Sequence, residues 1–230
     1  MKPLDWLLDL LYPPKCPFCG RVGDRRGVCP RCRETLPWTA GAETVQERRG
    51  LRCASPLFYE DAVRASLLRL KFSGAAGLAE GLGDVLAACA AEQFSGGFDT
   101  VTWVPVSRKR LRRRGYDQAR LLAEAAGRRW GVKPEPLLEK TADNPAQSTL
   151  AGASARRANV LGLYRASERA AGRRILLVDD IVTTGSTLDE CARTLREAGA
   201  AEVLAVTVAR TRPKKEESSG ANGFSDAMPT

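Results

Sequence analysis

The sequence predicts an α/β domain with a largely parallel sheet flanked by helices, preceded by a small segment that a metal holds together. Two observations carry that prediction. From Ala54 onward, short apolar runs ("SPLFY", "TVTWVPV", "ILLVDD", "EVLAVTVA") alternate with helical patterns at about 61–70, 75–92, 116–130 and 187–198, as strands and helices of a parallel sheet do. Before that point, residues 13 to about 50 are rich in Cys, Pro, Gly and Arg and poor in large apolar side chains, so they cannot build a core of their own. The expected organisation is an N-terminal helix and metal segment over 1–50, the α/β domain over 51–210, and a disordered tail over 211–230, where Lys, Glu, Ser, Gly and Asn crowd without periodicity.

The metal segment reads "CPFCGRVGDRRGVCPRC", placing Cys16, Cys19, Cys29 and Cys32 as two C-x-x-C pairs with nine residues between them. Each pair can fold as a tight knuckle that aims both sulfurs at one point, and two knuckles supply the four-thiolate shell that Zn²⁺ prefers. A closed shell leaves no open coordination position, so this zinc is structural. Lys15, Arg21, Arg31 and Arg33 are placed to offset its charge of about −2. A pair of disulfides is the competing reading, disfavoured in a chain without a secretory signal. Of the remaining cysteines, Cys89 shares one helical face with Leu78, Leu82, Val85 and Leu86, and Cys191 sits in another helix face. Both read as buried core thiols, while Cys53 has no visible partner.

Composition narrows the function classes. The 36 Lys and Arg against 27 Asp and Glu give a net charge of +9, which suits a polyanionic partner, although basic residues that only solvate the surface remain the alternative. With no histidine in the chain, a Ser-His-Asp triad, a histidine base and a His-ligated metal site are all excluded. No apolar run reaches membrane-spanning length, and Asp5 and Asp9 interrupt the apolar start. Trp6, Leu7, Leu10 and Leu11 fall at helical spacing, which predicts a short docked helix and no membrane insertion.

The most informative stretch is "ILLVDDIVTTGSTL", Ile175 to Leu188. Ile175–Val178 have the continuous apolar character of a buried parallel strand, and Leu188, Cys191, Ala192 and Leu195 form a helical stripe ended by Gly199. The loop between them opens a helix, which presents backbone amides and a positive helix end to a phosphate. Gly185 lets the backbone approach, and Thr183, Thr184, Ser186 and Thr187 add hydroxyl donors. Asp179 and Asp180 would repel a phosphate unless they face hydroxyls or a metal, and a sugar phosphate offers both kinds of partner.

That stretch resembles the phosphoribosyl pyrophosphate (PRPP) loop of the type I phosphoribosyltransferases. Together with "LYPPKCPFCG", "LKFSG", "VPVSRKRLRRRGYDQARLLA" and "QSTLAGASARRANVLGLY", in that order, it resembles the ComF family of competence-associated proteins over nearly all of residues 4–210. The resemblance implies a zinc segment fused to a type I phosphoribosyltransferase-like domain, cytoplasmic and linked to uptake of single-stranded DNA. Its partners would be PRPP with Mg²⁺, single-stranded DNA and a competence helicase. By position, Asp179 and Asp180 would hold the ribose 2- and 3-hydroxyls, and Thr183, Thr184, Gly185, Ser186 and Thr187 the 5-phosphate.

Lys71, in "LKFSG", stands where that fold places its pyrophosphate loop, and joins the two acids as a candidate catalytic residue. Six cations among the seven residues Arg108–Arg114 follow a strand end. Arg112, Arg113 and Arg114, with Tyr116 beside them, either close on pyrophosphate as a hood or track a nucleic-acid backbone. Two readings stay open at this level: transfer of ribosyl phosphate to an unknown acceptor, or a non-catalytic DNA-binding factor that senses PRPP. Thr183 stands where purine-type enzymes carry an acid, which argues against purine salvage. Asp117 takes a place where asparagine is more frequent in the family, and Gln147, Arg156, Arg157 and Asn159 follow the family pattern without an evident physical role.

Overall fold

A computed structural model describes residues 13–23, 27–72, 76–142 and 162–213. The N-terminal helix expected around Trp6, the segment with Gln147, Arg156, Arg157 and Asn159, and the tail after residue 213 lie outside the described residues.

Helix α1 (Pro30–Thr35) belongs to the cysteine segment and is followed by the hairpin β1 (Val45–Arg48) and β2 (Leu51–Ala54). Then come β3 (Leu57–Phe58), α2 (Asp61–Phe72), α3 (Leu78–Gln93), β4 (Thr100–Trp103), α4 (Arg108–Arg114) and α5 (Gln118–Trp130). The chain continues through β5 (Leu138–Lys140), β6 (Tyr164–Ala166), β7 (Arg174–Val182), α6 (Ser186–Glu197) and β8 (Glu202–Arg210).

The main sheet runs β1-β2-β8-β7-β4, and β3 continues along the β8 edge beyond β2. Every pairing in it is parallel except the antiparallel β1–β2 hairpin at the edge. β5 and β6 form a separate antiparallel pair. The alternating α/β pattern thus gives the largely parallel sheet that it predicts. β1 ("VQER") joins this sheet from within the stretch assigned to the metal segment.

β7 lies inside the sheet, between β8 and β4, and side-chain alternation divides it between two cores. Leu176 and Val178 join Leu204, Val206, α3 and α5 on one face. Ile175 and Leu177 join Val203, Ala205 and the α6 residues Leu188, Cys191 and Leu195 on the other. Because both faces are covered, the run is apolar without interruption. The first core also takes Cys16, Phe18 and Cys32 of the metal segment, so that segment packs on the domain. α3 and α5 pack so closely that a Cβ on Gly83 would lie 2.9 Å from the backbone nitrogen of Ala126.

Two backbone features shape the segments that carry cationic side chains. The β1–β2 turn has only two residues, Arg49 (φ 48°) and Gly50 (φ 71°), because a two-residue hairpin turn with both φ positive matches strand twist. The basic run Arg108–Arg114 is a short helix rather than an irregular loop. Ser107 Oγ caps it by accepting from Arg110 N, and Gly115 (φ 80°) ends it in the left-handed conformation. Its three final arginines sit at the negative helix end, which favours cations.

Candidate sugar-phosphate site and zinc knuckles

The four predicted metal ligands converge: the sulfurs of Cys16, Cys19, Cys29 and Cys32 all lie within 4.8 Å of one another, and Cys19 and Cys29 Sγ are 3.7 Å apart. A tetrahedron with Zn–S bonds of about 2.3 Å has sulfur edges of about 3.8 Å, so the donor set fits zinc. The first knuckle closes through Gly20 N donating to Cys16 O and Cys16 N donating to Arg21 O, both at 2.9 Å. The second closes as Cys29 caps α1, with Arg33 N donating to Cys29 O at 3.0 Å. Burial pushes the Cys16 thiol up, but hydrogen bonds centred on Cys19, Cys29 and Phe18 outweigh it and bring it down to about 7. Burial and the neighbouring sulfurs push Cys32 up. Four thiolates this close require a cation between them.

The knuckle is fastened to α2. Ser66 Oγ donates to Pro17 O at 2.7 Å, and Arg69 Nη2 donates to Pro17 O and Phe18 O at 3.0 and 2.9 Å. Two residues beyond Arg69, Lys71 Nζ reaches Asp180 Oδ2 at 2.8 Å. The same helix therefore connects the zinc segment to the acid pair at the carboxyl end of β7, where ligands of parallel sheets bind.

Asp180 is 3% exposed, and its backbone amide donates to Asp179 Oδ1 at 2.8 Å. Burial and the Asp180 charge raise the half-buried Asp179 carboxyl well above its usual range, against the smaller opposing effects of that hydrogen bond and of Lys71. Asp117 faces the same cluster. Its Oδ1 accepts from Ala119 N and Arg120 N at 3.1 and 3.2 Å, and its Oδ2 from Val106 N at 3.0 Å. Asp117 is thus the cap of α5 and the clasp between that helix and the strand-end segment after β4. Both carboxylate oxygens are used, a task for which asparagine has only one acceptor atom.

The predicted cationic contacts separate. Arg114 turns inward: Nη1 donates to Gln118 Oε1 at 2.9 Å, and its guanidinium lies 5.0 Å from the ring centre of Phe72. Arg112 and Arg113 stay exposed on α4. The Tyr116 hydroxyl donates to Leu70 O, tying the α4–α5 turn to the last turn of α2. Phe72 is 62% exposed and Leu111 42%, a pair of apolar side chains at the basic face that the sequence pattern does not single out.

The loop Thr183–Gly185 leads directly into α6, whose N-cap Gly185 (φ 76°) supplies no side-chain cap. The first helical amide, Ser186 N, donates to Thr184 Oγ1 only at a long 3.5 Å, which leaves the opening amides of α6 available to a ligand. Thr184 Oγ1 and Ser186 Oγ stand 3.1 Å apart. One cation at this loop belongs to none of the sequence motifs: Arg48, at the end of β1, donates from Nη1 to Thr184 O and places Nη2 3.6 Å from Asp189 Oδ2. Its separation of 136 residues from Thr184 leaves no local signal in the sequence.

The remaining cysteines are core thiols. Cys53, Cys89 and Cys191 are buried, and burial pushes the first two up to about 12 and the third well above its usual range. Among the described residues no helix is long and apolar enough to cross a membrane.

Comparison with known proteins agrees with this architecture. A phosphoribosyl transferase domain model matches residues 115–225, and a double zinc ribbon domain model matches residues 7–65. The chain is 28% identical over 197 residues to competence protein ComFC of Bacillus subtilis, covering 85% of this chain and 78% of that protein. It is 30% identical over 206 residues to DNA utilization protein YhgH of Escherichia coli O6:H1, covering 85% of this chain and 84% of that one. The chain belongs to the ComF family. A second ComFC, from Streptococcus pneumoniae, is 29% identical and is covered to 87% of its length. As a ComF-family protein the chain combines a zinc ribbon with a phosphoribosyltransferase-type domain, and its four cysteines form the structural zinc site.

The raised Asp179 carboxyl has a consequence for stability. A carboxyl raised in the folded state binds more protons there than in the unfolded chain, so its contribution is full below the unfolded value near 3.8 and is lost as pH rises through the folded value. Asp179→Asn keeps the oxygen that accepts from Asp180 N and removes the charge. It is expected to raise the melting temperature at pH 7.5, with a gain that shrinks to nothing as pH falls toward 4. Thermal melts across pH check this, and a destabilised Asn variant at pH 7.5 would contradict it.

Proposed function

We propose that this protein binds PRPP with Mg²⁺ in the cytoplasm during DNA uptake and transfers its ribosyl phosphate to a nitrogen nucleophile, releasing pyrophosphate. The observation that carries the reading is the acid pair on β7, with Asp180 held by Lys71 at 2.8 Å, next to a hydroxyl-rich loop that opens α6 without a side-chain cap. Asp179 and Asp180 accept hydrogen bonds from the ribose 2- and 3-hydroxyls. Thr183, Thr184, Gly185, Ser186 and Thr187 take the 5-phosphate on backbone amides and hydroxyls. The diol satisfies carboxylates that otherwise repel one another.

In this reading Lys71, on Asp180 at 2.8 Å, and Arg114, which the Asp180 charge also reaches, receive the pyrophosphate. The bond from ribose C1 to the pyrophosphate oxygen breaks as the bond to the acceptor nitrogen forms, and negative charge gathers on the leaving group. Mg²⁺ bound with PRPP supplies further neutralisation of that charge. The hard carboxylate oxygens of Asp179 and Asp180, one of which already draws Lys71, suit such an ion. Calorimetric titration of PRPP with Mg²⁺ tests the site. Binding is expected to the wild type and to vanish in the Asp179→Asn, Asp180→Asn double variant, whereas unchanged affinity in that variant would remove the site assignment.

A second reading rests on the exposed cations of α4 beside the exposed Phe72 and Leu111, and on relatives named for competence and DNA utilization. In it the same face binds single-stranded DNA, with a competence helicase as neighbour, and PRPP is sensed rather than consumed. Arg112, Arg113 and Arg114 changed together to Ala should then weaken binding of a single-stranded oligonucleotide and flatten its salt dependence. No DNA binding by the wild type at low salt would end this reading.

A further inference from the structure

The hydroxyl-rich loop, Thr183 to Thr187, contains no cationic side chain, yet a phosphate monoester brings close to two negative charges. The β1–β2 hairpin supplies the missing charge from outside the matched phosphoribosyl transferase domain. Arg48 lies across the loop with Nη1 on Thr184 O. It sits so close to Gly185 that a Cβ there would collide with Nη1 and meet Cζ at 3.2 Å. Glycine at 185 thus makes room for the guanidinium as well as for the left-handed turn. The side chain of Arg48 is 40% exposed, and its second contact, Asp189 Oδ2 at 3.6 Å, is long for a charge-assisted hydrogen bond.

The hairpin tip that carries Arg48 is fixed to the same helix that succeeds the loop. Arg196 of α6 donates to Gly50 O at 2.8 Å and to Arg49 O at 3.4 Å. The tight turn is held with Arg49 in the left-handed region, a conformation that is unfavourable for a non-glycine residue. Loop, helix and arginine therefore keep one geometry. A guanidinium offers a planar fork of donors matched to phosphate oxygens, and this one is parked on a backbone carbonyl at the loop.

We propose that Arg48 is a binding residue for the 5-phosphate, which exchanges its contact with Thr184 O for the phosphate oxygens when a ribose 5-phosphate group enters the loop. This role rests on the PRPP reading of the site. It assigns to the zinc-ribbon side of the chain a direct part in recognising the phosphoribosyl ligand. It also distinguishes the two ends of that ligand, because Arg48 lies at the phosphate loop, whereas Lys71 and Arg114 gather at the acid pair.

The test is calorimetry on the zinc-loaded full chain with three probes: PRPP with Mg²⁺, ribose 5-phosphate, and inorganic pyrophosphate with Mg²⁺. Arg48→Ala and Arg48→Met, checked for unchanged melting, are expected to weaken PRPP and ribose 5-phosphate by the same factor, about ten- to a hundredfold. Pyrophosphate affinity should be unchanged, and Arg48→Lys should recover only part of the loss because an ammonium lacks the fork. Equal or tighter ribose 5-phosphate binding in the Ala and Met variants would overturn the proposal and make Arg48 a latch on the loop. If the wild type binds neither PRPP nor ribose 5-phosphate, the PRPP reading fails and the role of Arg48 fails with it. If PRPP binds and the variants match the wild type, only the role of Arg48 falls.

Discussion

Two adjacent carboxylates at the carboxyl end of a buried parallel strand are an electrostatic problem, and much of this structure is arranged around it. Asp179 and Asp180 come directly after four buried apolar residues on β7, so they leave the core where water is scarce. Their mutual repulsion is met at Asp180 by Lys71 at 2.8 Å and only partly offset at Asp179, whose carboxyl is held well above its usual range by burial and by its neighbour. A site that keeps such repulsion sacrifices stability for binding. A ligand with vicinal hydroxyls removes the repulsion by donating to the charged form.

The scaffold brings the counter-charges to this point from separate parts of the chain. Lys71 is held at the end of a helix whose middle is fastened to the first zinc knuckle through Ser66 and Arg69. Tyr116 ties the start of α5 to the same helix end, and Asp117 fixes α5 to the segment after β4. The zinc ribbon therefore acts on the site through packing: its metal organises the knuckle, the knuckle seats α2, and α2 presents the lysine.

The parts of the site that are local in sequence are legible there. A buried strand, two acids, a glycine-and-hydroxyl loop and an amphipathic helix occupy consecutive residues, and the doubled C-x-x-C spacing announces its own geometry. Arg48 is hidden because its partner lies 136 residues away and its strand, "VQER", has neither apolar alternation nor a phosphate motif. The helix at Arg108–Arg114 looks like a loop in the sequence because charge dominates it, although Ser107 and Gly115 mark its two ends. Asp117 stands out in the sequence only as a departure from the family pattern. Its reason, three backbone donors on two oxygens, becomes visible only when α5 and the segment after β4 are brought together.

The most direct measurement is a carbon-13 NMR titration of the Asp179 carboxyl, with and without PRPP and Mg²⁺. In the free protein its midpoint should lie well above the ordinary value of 3.8. It should fall when the ligand binds, because ribose hydroxyls donating to the carboxylate favour the anion. A midpoint at the ordinary value in the free protein, or one that PRPP leaves unmoved, would contradict an acid pair built to receive a ribose.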